Sequence, residues 1–563
     1  MNGIAIILIA VVVLGGAYLF YGRFLAKKWG IDPKTKTPAY EMEDGVDYVP
    51  ADTGVVFGHQ FASIAGAGPI NGPIQAAIFG WVPVLLWILL GGVFFGAVQD
   101  FASMYASVKN KGRSIGYIIE LYIGKLGKKL FLLFTWLFSI LVVAAFADIV
   151  ATTFNGFNTD GSHNSFNASV ATTSIIFILF AVGLGFFLKY AKCKPMINTI
   201  VAIALLVVAI ALGMNLPVYQ STGFWLLFVF GYVIVACVTP VWALLQPRDY
   251  LNSFLLIAMM IISFVGIIAY NPSMNLDAFT GFTFTSSKGV TSYLFPSLFV
   301  TIACGAVSGF HSLVSSGTAS KQIKSEKAML PVSFGAMLLE SFLAIIALIA
   351  VGSFAKGDEI LSQNPPVVFA TAVSAFVTKI GLPKDFGYTL ILLAISAFGL
   401  TSLDSVARVG RLSFQEFFIE DDAKPSAWRS VVTNPYFATG LTLVLSFLLA
   451  KVGYENIWPL FGSANQLLSA LALIACAVFL KKTKRQGVML WAPMFIMLGV
   501  TFTALILKMK DLCSALSTNF KSGDALQLTF AVLLFILGLI VAVQGIKKLF
   551  GKDKDVNSNS VAA

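Results

Sequence analysis

The chain has 563 residues, of which 58% are hydrophobic and 12% charged, and its mean hydropathy is +0.85. Soluble domains carry about 25% charged and about 45–50% apolar residues, so this composition excludes an ordinary water-soluble enzyme and a disordered or fibrous protein. Repeated apolar runs of about 20 residues instead predict an all-α bundle that crosses a lipid bilayer. The net charge of +11 is typical of basic loops on the cytoplasmic face rather than of a nucleic-acid-binding protein.

The sequence motifs give no sign of a cofactor. The five cysteines show no CxxC or Cys/His spacing, which argues against a zinc site or a disulfide framework. The patterns GxxxxGK[ST], HExxH and GxSxG are absent, so ATP-driven transport by this chain alone and hydrolytic chemistry are disfavoured. We therefore expect a protein that is not an enzyme and that holds neither cofactor nor metal.

Fifteen apolar segments are candidate membrane spans, and the first of them has no basic region or small-residue cleavage site that would mark a signal peptide. The span 81–108 is longer than a bilayer requires, and 435–451 is short. The predicted spans are 3–22, 55–79, 81–108, 129–155, 171–190, 196–214, 223–245, 250–270, 292–320, 331–353, 387–411, 435–451, 457–480, 488–508 and 525–546.

The distribution of basic residues predicts the orientation of these spans. With the N-terminus outside, 30 of the 38 Lys and Arg residues fall in cytoplasmic loops and eight fall outside. An excess of Lys and Arg on the cytoplasmic side is the rule in membrane proteins. Because a miscounted span would reverse the pattern partway along the chain, the charges support both fifteen spans and a cytoplasmic C-terminus.

The second span contains a cluster of helix-breaking residues, Ala65-Gly66-Ala67-Gly68-Pro69-Ile70-Asn71-Gly72-Pro73. Unsatisfied backbone in hydrocarbon costs several kcal/mol per group, so an interruption here is expected to line a polar cavity. The alternative is a proline kink of the sort that membrane helices tolerate. We predict an unwound substrate-binding segment with candidate residues Ser63, Ala65, Gly66, Gly68, Pro69, Asn71 and Gln75.

A second interruption is predicted five spans later, at Thr239-Pro240 in the span 223–245, and these two residues complete the candidate substrate site. The two interrupted spans run in opposite directions, as in transporters built from inverted five-helix repeats with a substrate site near the midplane. Thr239-Pro240 taken alone favours a structural kink, and only its pairing with the interruption in the second span favours a binding segment.

The ninth span carries small and hydroxylated residues at helical spacing: Thr301, Gly305, Ser308, Ser312 and Ser315. Such a face commonly serves close helix packing. The alternative is a cation site opposite the first interruption, since hard cations prefer oxygen ligands. Its candidate residues are Ala65, Gly68, Ser312, Ser315, Ser316 and Thr318.

Ionisable residues inside membrane spans are costly and therefore candidates for function. Six occur here: His59, Asp100, Asp148, His311, Glu340 and Asp404. The candidates for carrying a coupled proton are His59, Asp100, His311 and Asp404. Structural alternatives exist for all four. Asp100, which follows Gln99, could simply be a charge of the inner vestibule. Asp404 lies four residues before Arg408 and is suited to an intrahelical ion pair, and the two histidines could bond to Ser63 and Ser315, each four residues further on.

Six stretches of the chain resemble the carbon starvation protein (CstA) family of membrane transporters. They are GHQFASIAGAGPINGP (58–73), VQDF (98–101), QPRDYL (246–251), SGFHSLVSSGTASKQ (308–322), TSLDSVARVGRL (401–412) and WPLFGSANQLL (458–468). The resemblance implies a bacterial inner-membrane importer linked to peptide and pyruvate uptake, with a core similar to the LeuT-type inverted repeat. It leaves open whether the substrate is a peptide or pyruvate and whether protons or sodium drive transport.

On this interpretation the chain divides into five parts. They are an extra N-terminal helix and loop (1–54), a first inverted repeat (55–214), a second inverted repeat (215–412), C-terminal membrane helices (413–546) and a disordered cytoplasmic tail (547–563).

The leading functional hypothesis is a secondary active transporter that imports short peptides or pyruvate by alternating access, in association with carbon starvation. Its expected partners are a small-molecule substrate and the lipid membrane, with no nucleic acid, and the sequence does not decide the oligomeric state. The alternative is a membrane channel or nutrient sensor without uphill transport.

Overall fold

The computed structural model describes residues 1–44, 48–158, 160–191, 195–239, 244–285, 291–419 and 426–551. These residues are mostly helical, as predicted, and the strands among them are Thr283–Thr285 and Thr291–Tyr293, which pair antiparallel with Thr283 opposite Tyr293. The predicted tail 547–563 begins too early, because the last helix continues to Phe550. Residues 552–563 of that tail lie outside the described residues.

Eleven helices among the described residues are long and apolar enough to cross a membrane, and three shorter apolar helices accompany them. The chain is therefore a multi-pass membrane protein. Helices occupy all fifteen predicted segments, although the crossing of the membrane by every one of them stays a prediction. The helices are Gly3–Lys28, Pro38–Glu41, Thr53–Ile64, Gly68–Ala76, Trp81–Lys109, Ile115–Tyr122, Lys125–Thr153, Ser165–Ala191, Pro195–Asn215, Thr222–Val238, Leu245–Tyr270, Leu294–Thr301, Gly309–Gly317, Glu326–Gly352, Pro365–Val377, Lys384–Phe418, Ala427–Val432, Pro435–Ala450, Tyr454–Lys482, Val488–Thr518 and Ser522–Phe550.

The second predicted span is interrupted where the glycines and prolines predicted it. Its first half ends at Ile64, Ala65 leaves the helical region with ψ of 65°, and the second half begins at Gly68. We call Thr53–Ile64 and Gly68–Ala76 the first interrupted helix. Because Pro69 stands at the start of the second half, its missing N–H costs no helical hydrogen bond there.

A second interrupted helix consists of Leu294–Thr301 and Gly309–Gly317, and the prediction of one continuous hydroxylated face in this span is wrong. Ile302 leaves the helix with ψ of 65°. Gly305 allows the non-helical stretch to approach its neighbour closely, since a Cβ there would lie 2.6 Å from the Cβ of Ala344. The spacing of the small residues thus reflects a tight crossing rather than a helix face.

The predicted interruption at Thr239-Pro240 is instead the end of a helix. Thr222–Val238 stops there and Thr239 is extended. Arg408 donates to the carbonyl oxygen of Thr239 at 2.5 Å and Arg411 donates to that of Cys237 at 2.9 Å, so two cations satisfy the last carbonyls. The next helix, Leu245–Tyr270, leads back across the bundle. Pro240 lies outside the described residues.

The centre of the bundle is built on a pair of antiparallel helices, Lys125–Thr153 and Lys384–Phe418, which we call the scaffold pair. A Cβ at Gly399 would lie 2.8 Å from Val150, and one at Gly410 would lie 2.8 Å from Ser139. The helix Tyr454–Lys482 packs beside the pair, and its most apolar window is entirely buried. Polar residues on these helices must therefore find partners within the protein.

One short helix that the sequence analysis missed, Pro365–Val377, lies at one end of the bundle rather than across it. Asn364, just before it, accepts a hydrogen bond at 3.1 Å from Tyr454. The ring of Phe376, near its other end, lies 5.2 Å from the ring of Tyr270. Both ends therefore lie at the end of the bundle where Leu245–Tyr270 finishes, which we call the Tyr270 end. The opposite end, where Lys109 pairs with Glu326, is the Lys109 end.

The packing of Tyr454–Lys482 against the second interrupted helix can be tested at Gly462. A Cβ there would overlap the carbonyl group of Val300, which is backbone and cannot rotate away. We expect Gly462→Ala to lower the free energy of unfolding by about 1–3 kcal/mol. The measurement is the thermal unfolding midpoint of the purified protein in detergent.

The matched control is Gly440→Ala in the helix Pro435–Ala450, because a Cβ at Gly440 meets nothing within 4 Å. This variant is expected to be neutral or slightly stabilised, since Ala is the better helix former. Equal midpoints for the two variants would contradict the close approach at Gly462.

Candidate functional site

The two interrupted helices cross at their interruptions and run antiparallel. Gly68 lies against Cys304, since a Cβ at Gly68 would be 2.6 Å from the Cβ of Cys304. Gly72 lies against Thr301, whose carbonyl oxygen would be 2.8 Å from a Cβ at Gly72. The residue numbers rise along one helix as they fall along the other. The glycines of the first interrupted helix are therefore what lets two stretches of open main chain touch near the middle of the bundle.

The helix Tyr454–Lys482 supplies hydrogen bonds to the open main chain of the second interrupted helix. Trp458 Nε1 donates to the carbonyl oxygen of Thr301 at 3.2 Å, and Gln466 Nε2 donates to that of Phe299 at 2.6 Å. Asn465 Oδ1 accepts from the N–H of Phe310 at 3.2 Å. Non-helical backbone at membrane depth is tolerated only when protein groups satisfy it in this way.

A small cavity of about 20 Å³ lies beside the crossing, with room for about one water molecule. Ligand pockets for drug-sized molecules usually measure about 300–1,000 Å³. A nutrient can therefore occupy this position only if neighbouring helices move. The lining residues are Ile64, Gly66, Phe138, Val142, Phe146, Cys304, Phe310, Ser402, Val406, Phe461 and Asn465.

In the second half of the first interrupted helix, the side chains of Asn71 and Gln75 have buried amide atoms without a hydrogen-bond partner among the described residues. Neither the amide oxygen nor the amide nitrogen of Asn71 is bonded, and Gln75 Nε2 is also unbonded. Both residues were predicted to bind substrate. Because a buried polar group without a partner is costly and rare, these amides are available to a ligand that enters beside the crossing.

A row of three ionisable side chains lies directly next to the second interruption. His311, the third residue of Gly309–Gly317, has Nδ1 at 3.1 Å from Asp100 Oδ2 and Nε2 at 3.2 Å from Glu340 Oε2. All three side chains are fully buried. We call them the Asp-His-Glu row. Even with a protonated imidazole the row would carry a net charge of −1, which is expensive in a buried site, so a further proton on a carboxyl group is the natural way to neutralise it.

The Asp-His-Glu row joins two predicted proton candidates, Asp100 and His311, with one residue that the sequence analysis did not select. Glu340 is an ionisable residue inside a predicted span, and the sequence pattern assigns it no role. The only sequence signal was an acidic residue in an otherwise apolar run, and nothing in the spacing connects it to a histidine 29 residues earlier. Among the described residues, no group of three His, Cys, Asp or Glu side chains is placed to hold a metal ion.

Asp404 belongs to a separate buried cluster, and the predicted intrahelical pair with Arg408 is wrong. Asp404 pairs with both terminal nitrogens of Arg248, one of them at 3.1 Å. It also accepts a hydrogen bond from Tyr232 at 2.9 Å. Arg408 instead donates to the main chain at the end of Thr222–Val238. A fork of two hydrogen bonds from a buried arginine holds Asp404 as a carboxylate, which fits an ion pair between helices better than a proton carrier.

The predicted bonds between the histidine rings and nearby serines are also wrong. Ser63 Oγ donates to the main-chain oxygen of His59 at 2.7 Å, and the Nε2 atom of His59 is buried without a partner among the described residues. Ser315 Oγ accepts from Gln60 Nε2 at 2.8 Å. The Gln60–Ser315 bond thus ties the two interrupted helices together on the side toward the Lys109 end.

The three serine hydroxyls predicted to hold a cation form hydrogen bonds within the protein. Ser312 donates to the carbonyl oxygen of Gly309 and Ser316 to that of Ser312, both at 2.6 Å. Thr318 is exposed. The hydroxyl next to the first interruption is that of Ser402 on the scaffold pair, which would be 2.6 Å from a Cβ at Gly66. The structure therefore does not gather the predicted set of hydroxyls around Ala65 and Gly68.

Comparisons with known proteins identify a single family. The family model described as "Carbon starvation protein CstA" matches residues 2–363 and 353–504. The peptide transporter CstA of Escherichia coli (strain K12) is 33% identical over 558 residues, covering 86% of this chain and 78% of that protein. The peptide transporter CstA of Bacillus subtilis (strain 168) is 32% identical over 596 residues, covering 97% of each. The pyruvate/proton symporter BtsT of Escherichia coli (strain K12) is 31% identical over 573 residues, covering 86% and 78%.

Among solved structures, the chain is similar to the crystal structure of the Eremococcus coleocola manganese transporter in complex with an aromatic bis-isothiourea substituted compound. The TM-score is 0.44 at 12% identity, and the match covers 90% of this chain and 99% of that one.

The buried Arg248–Asp404 pair gives a test of the site's electrostatics. Asp404→Asn leaves the charged and fully buried Arg248 with Asp249, at 2.8 Å, as its remaining carboxylate partner, so we expect the free energy of unfolding to fall by up to about 3–5 kcal/mol. The measurement is the thermal unfolding midpoint in detergent. The control is Asp277→Asn, which removes an ion pair with Lys356 in which both side chains are well exposed and which should leave the midpoint nearly unchanged.

A double variant separates a lost charge partner from simple misfolding. Arg248→Met combined with Asp404→Leu removes both charges and should recover most of the midpoint lost in Asp404→Asn. A double variant no more stable than Asp404→Asn would contradict the assignment of the pair as the source of the effect.

Proposed function

We propose that this chain, which belongs to the carbon starvation protein CstA family, is a secondary active transporter that imports short peptides or pyruvate across the bacterial inner membrane. The family and its curated relatives are transporters and not enzymes, and the apolar helices make this chain a multi-pass membrane protein. The observation that carries the proposal is the antiparallel crossing of the two interrupted helices beside a cavity of about 20 Å³.

The interrupted helices suggest a new division of the core into inverted repeats. Along the chain, each interrupted helix is followed by a long helix, then by a short helix at one end of the bundle, and then by one member of the scaffold pair. The short helices are Ile115–Tyr122, whose first N–H bonds to Ser316, and Pro365–Val377 at the Tyr270 end. We therefore assign residues 53–270 and 294–482 to the two repeats in place of 55–214 and 215–412, with 165–215 as an insertion in the first. The core then resembles the LeuT-type arrangement.

Both second halves of the interrupted helices begin at the crossing, at Gly68 and at Gly309. Helix N-termini carry partial positive charge and free N–H groups, which favour anionic groups. Pyruvate and peptides have a carboxylate in common. We therefore place the substrate carboxylate between these two helix starts, with Asn71 and Gln75 supplying further hydrogen bonds.

Transport by alternating access requires the cavity to open first to one side and then to the other. In the proposed orientation the N-terminus is outside and the Lys109 end is cytoplasmic, in agreement with the basic loops. On the cytoplasmic side the exit is closed by the buried Arg248–Asp404 pair and by the bond between Gln60 and Ser315. Opening toward the cytoplasm therefore separates these contacts.

The Asp-His-Glu row is the proposed site of the coupled proton. One relative is a pyruvate/proton symporter, which favours a proton over sodium as the coupling ion here. The row is linked to the crossing through Gln99, next to Asp100, because Gln99 Nε2 donates to the carbonyl oxygen of Ser308 at 2.7 Å. A shift of the main chain at Ser308 therefore alters the surroundings of Asp100 and His311 directly, which is the connection that coupling requires.

The direct test of the proposed function is uptake by the purified protein in liposomes. We expect radiolabelled pyruvate or a labelled di- or tripeptide to accumulate above its outside concentration under an inward proton gradient and to be released by a protonophore. A sodium gradient alone should not support accumulation. Downhill flux with no accumulation under either gradient would favour the alternative, a channel or nutrient sensor.

Crowding the crossing should block transport. Gly68→Ala places a Cβ in contact with Cys304, so we expect uptake to fall to the level of protein-free liposomes while membrane insertion remains normal. Adding Cys304→Gly removes the colliding atoms and should restore part of the uptake. Gly58→Ala in the same interrupted helix is the matched control, since a Cβ at Gly58 meets nothing within 4 Å. Normal uptake by Gly68→Ala would remove the crossing from the transport path.

Neutralising the Asp-His-Glu row should uncouple transport. We expect Glu340→Gln to abolish proton-driven accumulation while exchange of labelled for unlabelled substrate persists, because exchange needs no net proton movement. His311→Ala should also flatten the pH dependence of exchange. The control is Glu359→Gln, which changes an exposed glutamate at the Tyr270 end. Wild-type accumulation by Glu340→Gln would move the coupling role elsewhere.

A further inference from the structure

A second and larger cavity lies away from the crossing, at the Lys109 end, between the N-terminal helix Gly3–Lys28 and the start of Glu326–Gly352. Its volume is about 630 Å³, which is within the usual range for a ligand pocket. Its lining includes Tyr18, Arg23, Thr53, Lys327, Leu330 and Pro331. None of these residues contributes to the crossing or to the Asp-His-Glu row, so the cavity is a separate feature of the molecule.

The helix backbone is unusual on both sides of this cavity. Each wall contains a π-helical segment, Ala17–Gly22 on one side and Leu330–Gly335 on the other. The two segments touch at Gly22, where a Cβ would lie 3.1 Å from Leu330, and at Gly335, where a Cβ would lie 3.4 Å from Tyr18. Single π-helical turns inside α-helices are rare and frequently mark functional positions, so two of them facing each other beside a cavity indicate a built site.

Two cations line the cavity without a carboxylate partner. Arg23 and Lys327 are exposed, and within the described ranges neither one forms a hydrogen bond or an ion pair. Glu326, the acidic residue next to Lys327, is already engaged: it pairs with Lys109 and accepts a hydrogen bond at 3.0 Å from the N–H of Asp32. The cavity therefore presents an unneutralised positive charge to an incoming ligand.

The cavity is positioned at the level of lipid headgroups. Gly3–Lys28 is apolar as far as Gly22 and then carries Arg23, Lys27 and Lys28. Phe20 and Phe24 are 79% and 54% exposed, as expected for side chains that face lipid. A helix that passes from apolar to basic residues within one turn marks the boundary between the hydrocarbon and the headgroups.

We infer that this cavity binds an anionic phospholipid from the leaflet at the Lys109 end. The lipid phosphate lies between Arg23 and Lys327, and the acyl chains follow the apolar wall formed by Tyr18, Leu330 and Pro331. Basic pockets between membrane helices are the usual sites for acidic headgroups. A free phosphate ion shares the charge but makes no use of the apolar wall. Because Thr53 lines the cavity and begins the first interrupted helix, the bound lipid contacts both that helix and the N-terminal helix.

The test measures lipid binding and does not depend on transport. The full chain, purified in detergent, is titrated with phosphatidylglycerol or with phosphatidylcholine of the same acyl chains, and bound lipid is counted by native mass spectrometry. The variant is Arg23→Gln with Lys327→Gln. The matched control is Lys379→Gln with Lys521→Gln, which removes two exposed cations at the Tyr270 end. Each titration is repeated with millimolar inorganic phosphate.

We expect wild type and control to bind phosphatidylglycerol roughly tenfold more tightly than phosphatidylcholine, and the Arg23/Lys327 variant to lose that preference. Inorganic phosphate should leave phosphatidylglycerol binding unchanged. Equal affinity of the wild type for the two lipids, or an equal loss in variant and control, would overturn the lipid site. Displacement of the lipid by inorganic phosphate would assign the two cations to a free anion instead.

Discussion

The structure depends on one constraint: main chain that leaves the helix inside a membrane must find its hydrogen-bond partners within the protein. In the second interrupted helix those partners are side chains of Tyr454–Lys482, namely Trp458, Asn465 and Gln466. This explains why the stretch 458–468 carries indole and amide groups in the middle of an apolar run. The helix Tyr454–Lys482, whose most apolar window is entirely buried, is thus a structural requirement for the crossing and not an accessory to it.

The same constraint places the ionisable side chains of the Asp-His-Glu row next to the open main chain. The non-helical stretch ends at Gly309, and His311 follows within the first turn of the new helix. Gln99 bonds to Ser308 on one side of the stretch and precedes Asp100 in sequence. A movement that opens the crossing therefore changes the hydrogen bonds around the Asp-His-Glu row. In the proposed mechanism substrate and proton communicate through this short path rather than across the bundle.

A feature of the fold or of the candidate site was predictable from the sequence where neighbouring residues determine it, and was not where residues far apart in the chain do. The first interruption was predictable, because three glycines and two prolines within a few residues exclude a regular helix. The second was not, because the small residues from Thr301 to Ser315 repeat at helical spacing although residues 302–308, between the two halves, are not helical. Thr239-Pro240 has the composition of a break but terminates a helix. The partner of Asp404 is Arg248, 156 residues away, whereas sequence spacing favoured Arg408 in the next turn.

The most direct test of the proposed coupling is the uptake or release of protons when the purified protein binds its substrate in a weakly buffered detergent solution, followed with a pH indicator. Linkage requires that a substrate coupled to the Asp-His-Glu row change the number of bound protons. We predict a change of about one proton per chain with pyruvate or a dipeptide, and no change with Glu340→Gln. Substrate binding with the same proton change in both proteins, or with none in either, would contradict the coupling of the row to the crossing.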